Sequence, residues 1–115
     1  MILRVTTIFC VGLLLVLGYT ACSTSPGRRI YIDWGCVRCH GASLSGSTLG
    51  PPLKGLRSVW TREALVRYLE DPQAYTQKDP RLKALAARYQ APMPKFMMDG
   101  ETRRMLAEFL LAQSE

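Results

Sequence analysis

Two cysteines and a histidine stand within five consecutive residues, Cys36-Val37-Arg38-Cys39-His40. Two thiols at this spacing are open to several chemistries. In an oxidising compartment they can close a disulfide. As a thioredoxin-like redox pair they would need a βαβ unit, and no strand-period segment is visible. As half of a zinc site they would need further ligands, and the segment after the leader offers neither a second cysteine pair nor a second histidine. The histidine directly after the second cysteine selects a fourth chemistry, the covalent attachment of c-type haem. Two intervening residues let the sulfurs reach both vinyl groups. The next residue then projects under the ring, so that His40 becomes the proximal ligand of the iron.

His40 is the one histidine in the chain, so a second imidazole cannot come from the same molecule. A sixth ligand, if there is one, is then a methionine thioether. Met1 lies in the leader, and Met105 falls inside a helical pattern as a core residue. Met93, Met97 and Met98 remain, and Met93 is flanked by Pro92 and Pro94. Two prolines stiffen the backbone and remove two donors, which suits holding one sulfur in place.

These residues need elements to position them. Ahead of the motif, Arg28 to Gly35 reads as a short helix with Ile30, Tyr31 and Trp34 on its inner side. Gly27, one turn before Tyr31, is either a linker glycine or a point of close helix approach. Residues 41–52 are rich in Gly, Ser and Pro and read as loop. Thr61 is an N-cap for a helix running from Arg62 to about Glu70, with Ala64, Leu65, Tyr68 and Leu69 on one face. Asp71-Pro72 stops it. Asp79-Pro80 starts another, with Leu82, Leu85, Ala86 and Tyr89 as its apolar side. Asp99 caps the last helix, from about Gly100 to Ala112, with Leu106, Phe109 and Leu110 as its buried stripe. The expectation is an all-α domain of four or five short helices around one covalent haem.

At the other end, Met1–Arg4 and the apolar residues 5–17 have the layout of a signal-peptide core, too short to span a bilayer comfortably. The segment ends Gly18-Tyr19-Thr20-Ala21-Cys22-Ser23. Small residues before a cysteine resemble the lipobox of bacterial lipoproteins, which implies lipid on Cys22; Tyr19 departs from the aliphatic residue usual there. Ordinary cleavage and an uncleaved N-terminal anchor are the alternatives, and all three place the domain outside the cytoplasmic membrane. The expected layout is a leader at 1–21, a linker at 22–27 and a haem domain at 28–115. The formal charge is +6, of which the leader carries only Arg4. A moderate positive charge suits an acidic docking partner or serves solubility alone. No basic run of the kind that binds nucleic acid is present.

Together these residues resemble the class I c-type cytochromes, over essentially all of Gly27 to Leu111. The order of features is similar throughout: Gly27…Tyr31, the haem motif followed by Gly41, then Leu49-Gly50-Pro51-Pro52-Leu53-Lys54-Gly55-Leu56, then Ala91-Pro92-Met93-Pro94, and a last helix with Leu106…Phe109-Leu110. The resemblance implies thioether bonds at Cys36 and Cys39 and iron ligation by His40 and Met93. It implies that the Pro51 carbonyl accepts the other imidazole N–H, that Leu53 packs on the haem face, and that the first and last helices cross. Residues 73–90 depart from the family's pattern. They leave the propionate partners unassigned, with Trp60, Arg57 and Tyr75 as candidates.

The function this implies is single-electron transfer on haem c, with no enzymatic site of the chain's own. The expected setting is the periplasmic side of a bacterial envelope, with membrane attachment through lipid or an N-terminal anchor. Expected partners are redox proteins: a quinol-oxidising complex, a terminal oxidase or a periplasmic dehydrogenase. The isolated protein is expected to be a monomer. The alternatives are a fixed haem subunit of a larger periplasmic oxidoreductase and, from another class, a sensor or enzyme with an open sixth site.

Overall fold

The structure is a computed structural model and describes residues 24–114. Cys10, Cys22 and the leader and anchor assignments lie outside the described residues. Among the described residues, six α-helices and one 3₁₀ turn follow one another: α1 Pro26–Asp33, α2 Val37–His40, the turn Leu56–Ser58, α3 Arg62–Glu70, α4 Pro72–Gln77, α5 Pro80–Ala86 and α6 Gly100–Leu111. No strand occurs among the described residues.

Most helix starts follow local side-chain chemistry. Thr61 accepts from Ala64 N at 3.1 Å, Asp79 from Arg81 N at 2.9 Å, and Asp99 from Thr102 N at 2.8 Å. Each cap satisfies an amide that the helix itself leaves without a partner. Several boundaries differ from the sequence reading; the first helix ends at Asp33 rather than Gly35. The first helix begins at Pro26 rather than Arg28, because Ser25 caps it and proline fits the first helical position; Pro26 and Gly27, read as the end of a linker, are helical. Asp71-Pro72 does more than stop α3. Asp71 Oδ1 accepts from Ala74 N at 3.0 Å and Pro72 opens α4, so the dipeptide is a stop and a start at once. That unexpected helix, together with the turn formed by the haem motif itself, brings the number among the described residues to six rather than four or five.

The core forms where α6 packs against α1 and α3. Tyr31, Leu65, Leu69, Leu106, Ala107 and Leu110 are buried there. Burying a side chain such as Leu106 is worth about 1.5–3 kcal/mol. The crossing of α1 and α6 depends on Gly27. A Cβ at that position would overlap Phe109 Cβ and stand 2.7 Å from the Met105 carbonyl oxygen, so Gly27 is a close-approach glycine. One turn on, the Tyr31 ring lies 5.9 Å from that of Phe109. Met105 is partly buried on the same helix.

Candidate functional site

The haem motif leaves α1 through a tight turn and forms α2. Its polar backbone groups are taken up by the loop that follows. Gly46 N donates to the His40 carbonyl at 2.8 Å, and Ser47 Oγ donates to the Cys39 carbonyl at 2.6 Å. Tyr31, fully buried, donates its hydroxyl to the Gly41 carbonyl at 2.6 Å, and burial pushes that phenol up to about 12, which keeps it a donor. The residue after His40 is thereby tied to the first helix. Loop residues 41–52 thus fold back onto the motif and bring Pro51 to the imidazole.

His40 Nδ1 lies 2.8 Å from the Pro51 carbonyl oxygen. A carbonyl only accepts, so Nδ1 carries the proton and donates; a neutral ring then presents its lone pair from Nε2. No hydrogen bond among the described residues engages Nε2. Burial lowers the pKa of His40, opposed in part by the bond to Pro51, and this holds the ring in its neutral, metal-binding form. The ring is also cradled sterically: a Cβ at Gly50 would sit 3.2 Å from His40 Cε1 and 3.1 Å from the Cys39 carbonyl oxygen. Cys36 and Cys39 are both free thiols. Burial pushes the Cys36 thiol up to about 11, far from the low values that make a thiol a redox nucleophile.

Cys36, Cys39, His40 and Pro51 open onto one cavity of about 480 Å³. Met93 lines the same cavity, and Tyr68 on α3 donates to its Sδ at 3.4 Å. Burial raises the Tyr68 pKa, so the phenol stays protonated. The rest of the wall is mostly apolar. Pro72 from α4, Leu82, Leu85 and Ala86 from α5, and Tyr89 contribute to it. The departing stretch 73–90 therefore supplies one side of the cavity.

Other expected positions fall elsewhere. Leu53 packs against the core cluster and is not among the residues lining the cavity. Trp60, Arg57 and Tyr75 do not line it either. Trp60 instead packs at a tilt against Tyr68 at 5.2 Å and Tyr75 at 5.8 Å, with the Arg81 guanidinium 5.0 Å over its ring. Met98 is buried in the core, whereas Met97 is 83% exposed and packs on neither core nor cavity. Among the described lining residues, Arg38 is the one formally charged side chain. In the sequence it reads as a spacer of the haem motif; its place between the two cysteines is the available signal. Thr76, Gln77 and Gln73 are further polar residues of the wall that no spacing marked.

The sequence profile of the Cytochrome c family matches residues 24–114. The chain belongs to the cytochrome c family. No curated protein and no solved structure matches the chain closely enough to add a relative. The match supports a class I c-type cytochrome, whose cofactor is one covalently attached haem c with its iron, and whose work is electron transfer. The cytochrome's own residues fit that group. Two unpaired thiols flank one turn, a buried neutral imidazole keeps one nitrogen free, and a thioether shares their apolar cavity.

Proposed function

We propose that this cytochrome is a monomeric single-electron carrier on the periplasmic side of a bacterial envelope, held at the membrane through Cys22. It would pass electrons between a quinol-oxidising complex or periplasmic dehydrogenase and a terminal oxidase. The observation that carries the reading is the shared cavity of His40 and Met93, with the imidazole already oriented by Pro51. Bound haem c supplies a one-electron couple. Cys36 and Cys39 would hold it by thioether bonds, His40 Nε2 and Met93 Sδ would take the two axial positions, and the hydrogen bond to Pro51 would strengthen the imidazole as a donor. With both positions filled by the chain, oxygen and small ligands are kept out, which suits a carrier and opposes a sensor. An apolar wall and a thioether ligand both favour the reduced state.

Attachment at Cys22 would leave a tether of four residues before α1, which reaches about 14 Å at full extension. The domain would then work close to the membrane surface, against small, transient, charge-guided interfaces.

The test is protein matured in a strain able to attach c-haem. One haem should survive extraction with acidified organic solvent. The reduced spectrum should not respond to carbon monoxide, and Met93→Ala should make it respond. A parent that binds carbon monoxide would replace the carrier reading with the open-site one. Cys22→Ser should move the protein from the membrane to the soluble periplasmic fraction. Native purification as a stable complex rather than a monomer would make it a fixed oxidoreductase subunit.

A further inference from the structure

Met93 sits in a segment that its own backbone does not hold. Among the described residues, no backbone–backbone hydrogen bond engages residues 91–98. Among the described residues the segment has three polar ties: Tyr68 to Met93 Sδ at 3.4 Å, Lys95 Nζ to Asp71 Oδ2 at 3.2 Å, and Arg103 Nη2 to the Met98 carbonyl at 2.9 Å. Tyr68 is in the last turn of α3, and Asp71 is its C-cap. Arg103 belongs to α6, but its Nη1 pairs with Glu70 at 3.5 Å. All three ties therefore converge on residues 68–71. Apolar anchoring comes from Met98 in the core, from Met93 and Phe96 packed against that core while only partly buried, and from Phe96 edge-on to Trp34 at 6.0 Å.

Arg103 is an unusual tie. Its side chain is only 14% exposed, and its Nε is buried with no partner among the described residues. A buried donor left unpaired works against stability. What the placement achieves is a reach to both Met98 and Glu70. Asp71 divides its work in a similar way: Oδ1 caps α4 while Oδ2 takes Lys95.

We propose that Arg103 and the Asp71–Lys95 pair are positioning residues for Met93. They fasten a segment that lacks backbone bonds to the C-terminal end of α3, and so set how often the thioether leaves its place. The proposal rests on Met93 being the distal ligand. Loss of a tie lets the segment swing out more often, while α3 and the core stay as they are.

The experiment follows capture of imidazole by the ferric holoprotein at saturating imidazole, where the rate is that of Met93 leaving. Arg103→Met removes a partly buried charged hydrogen bond, and capture should speed up about tenfold or more. Arg103→Lys keeps the charge and one donor and should recover part of the loss. Lys95→Gln breaks an exposed pair and should give about a two- to fivefold effect. Leu110→Ala, a core change that leaves all three ties in place, reports what lost global stability does by itself, with denaturation midpoints measured for all. Capture at the parent rate in Arg103→Met, or no faster than in Leu110→Ala, overturns the proposal. Should Arg103→Met fail to take up haem, Arg103→Lys and Lys95→Gln decide, and parent rates in both overturn it. A parent spectrum without methionine ligation, or one that survives Met93→Ala, removes the distal assignment and this proposal with it. Methionine ligation lost in Met93→Ala, but capture rates unmoved by the tie variants, removes this proposal alone.

Discussion

The phenol of Tyr68 donates to the sulfur of Met93 at 3.4 Å, from helix α3 into the loop that follows α5. A hydrogen bond to a thioether draws electron density from it and makes it a poorer donor to oxidised iron. Tyr68→Phe keeps the ring and its packing on Trp60 but removes the proton. The reduction potential of the holoprotein should fall by roughly 20–60 mV, the equivalent of one hydrogen bond for a one-electron couple. Protein-film voltammetry reads this directly; an unchanged or higher potential would mean that the contact is mere packing.

Gly27 allows α1 and α6 to touch at backbone distance. Alanine is the better helix former, by about 0.5–1 kcal/mol, so on propensity alone Gly27→Ala should stabilise. The Phe109 side chain and the Met105 carbonyl oppose it, and backbone gives way less readily than a flexible side chain. Overpacking should dominate, with a net loss of about 1–3 kcal/mol. Denaturant unfolding of the holoprotein, followed by far-ultraviolet circular dichroism, measures it.

Leu82 tests whether residues 73–90 are structural wall or surplus. It is 6% exposed and lines the cavity. Leu82→Ala should cost about 2–5 kcal/mol if α5 is packed as core. A change below about 0.5 kcal/mol, typical of surface positions, would place the stretch outside the cooperative unit.

Asp99 governs part of the acid limb of stability. Its carboxylate accepts from Thr102 N and from the Thr102 hydroxyl, and both hold its pKa below the usual range. A folded-state value below the unfolded one means that the contribution is complete above the unfolded value. It is lost as pH falls through the folded one. Asp99→Asn keeps a capping oxygen without a titrating proton. Its unfolding temperature should fall less steeply than the parent's as pH drops through the carboxylate range. Parallel curves for the two proteins would exclude Asp99 as a contributor.

Much of this protein is legible along the chain because the chemistry is local. The Cys36–His40 motif, the caps at Thr61, Asp79 and Asp99, and the apolar stripe of α6 each depend on residues within a few positions of one another. Met93 stood out for a related reason, since two adjacent prolines leave its backbone few conformations. The all-helical class follows from the same short periods.

What required the tertiary structure was every relation across distance. That Gly27 is a contact rather than a linker depends on Phe109, more than eighty positions away. Whether a methionine faces core, cavity or water is decided by how the segment after α5 is tied down, which is why Met97 and Met98, neighbours in sequence, end up exposed and buried. Asp71-Pro72 reads as a stop because proline disfavours helical backbone in the residue before it; the same two residues cap and open the next helix. The convergence of Tyr68, Glu70 and Asp71 on one loop is invisible in sequence, because no periodicity records a charge reaching across space. Local spacing dictates which groups can bond to a haem, whereas the packing of α3 against α6 decides which of them are held where they would meet it.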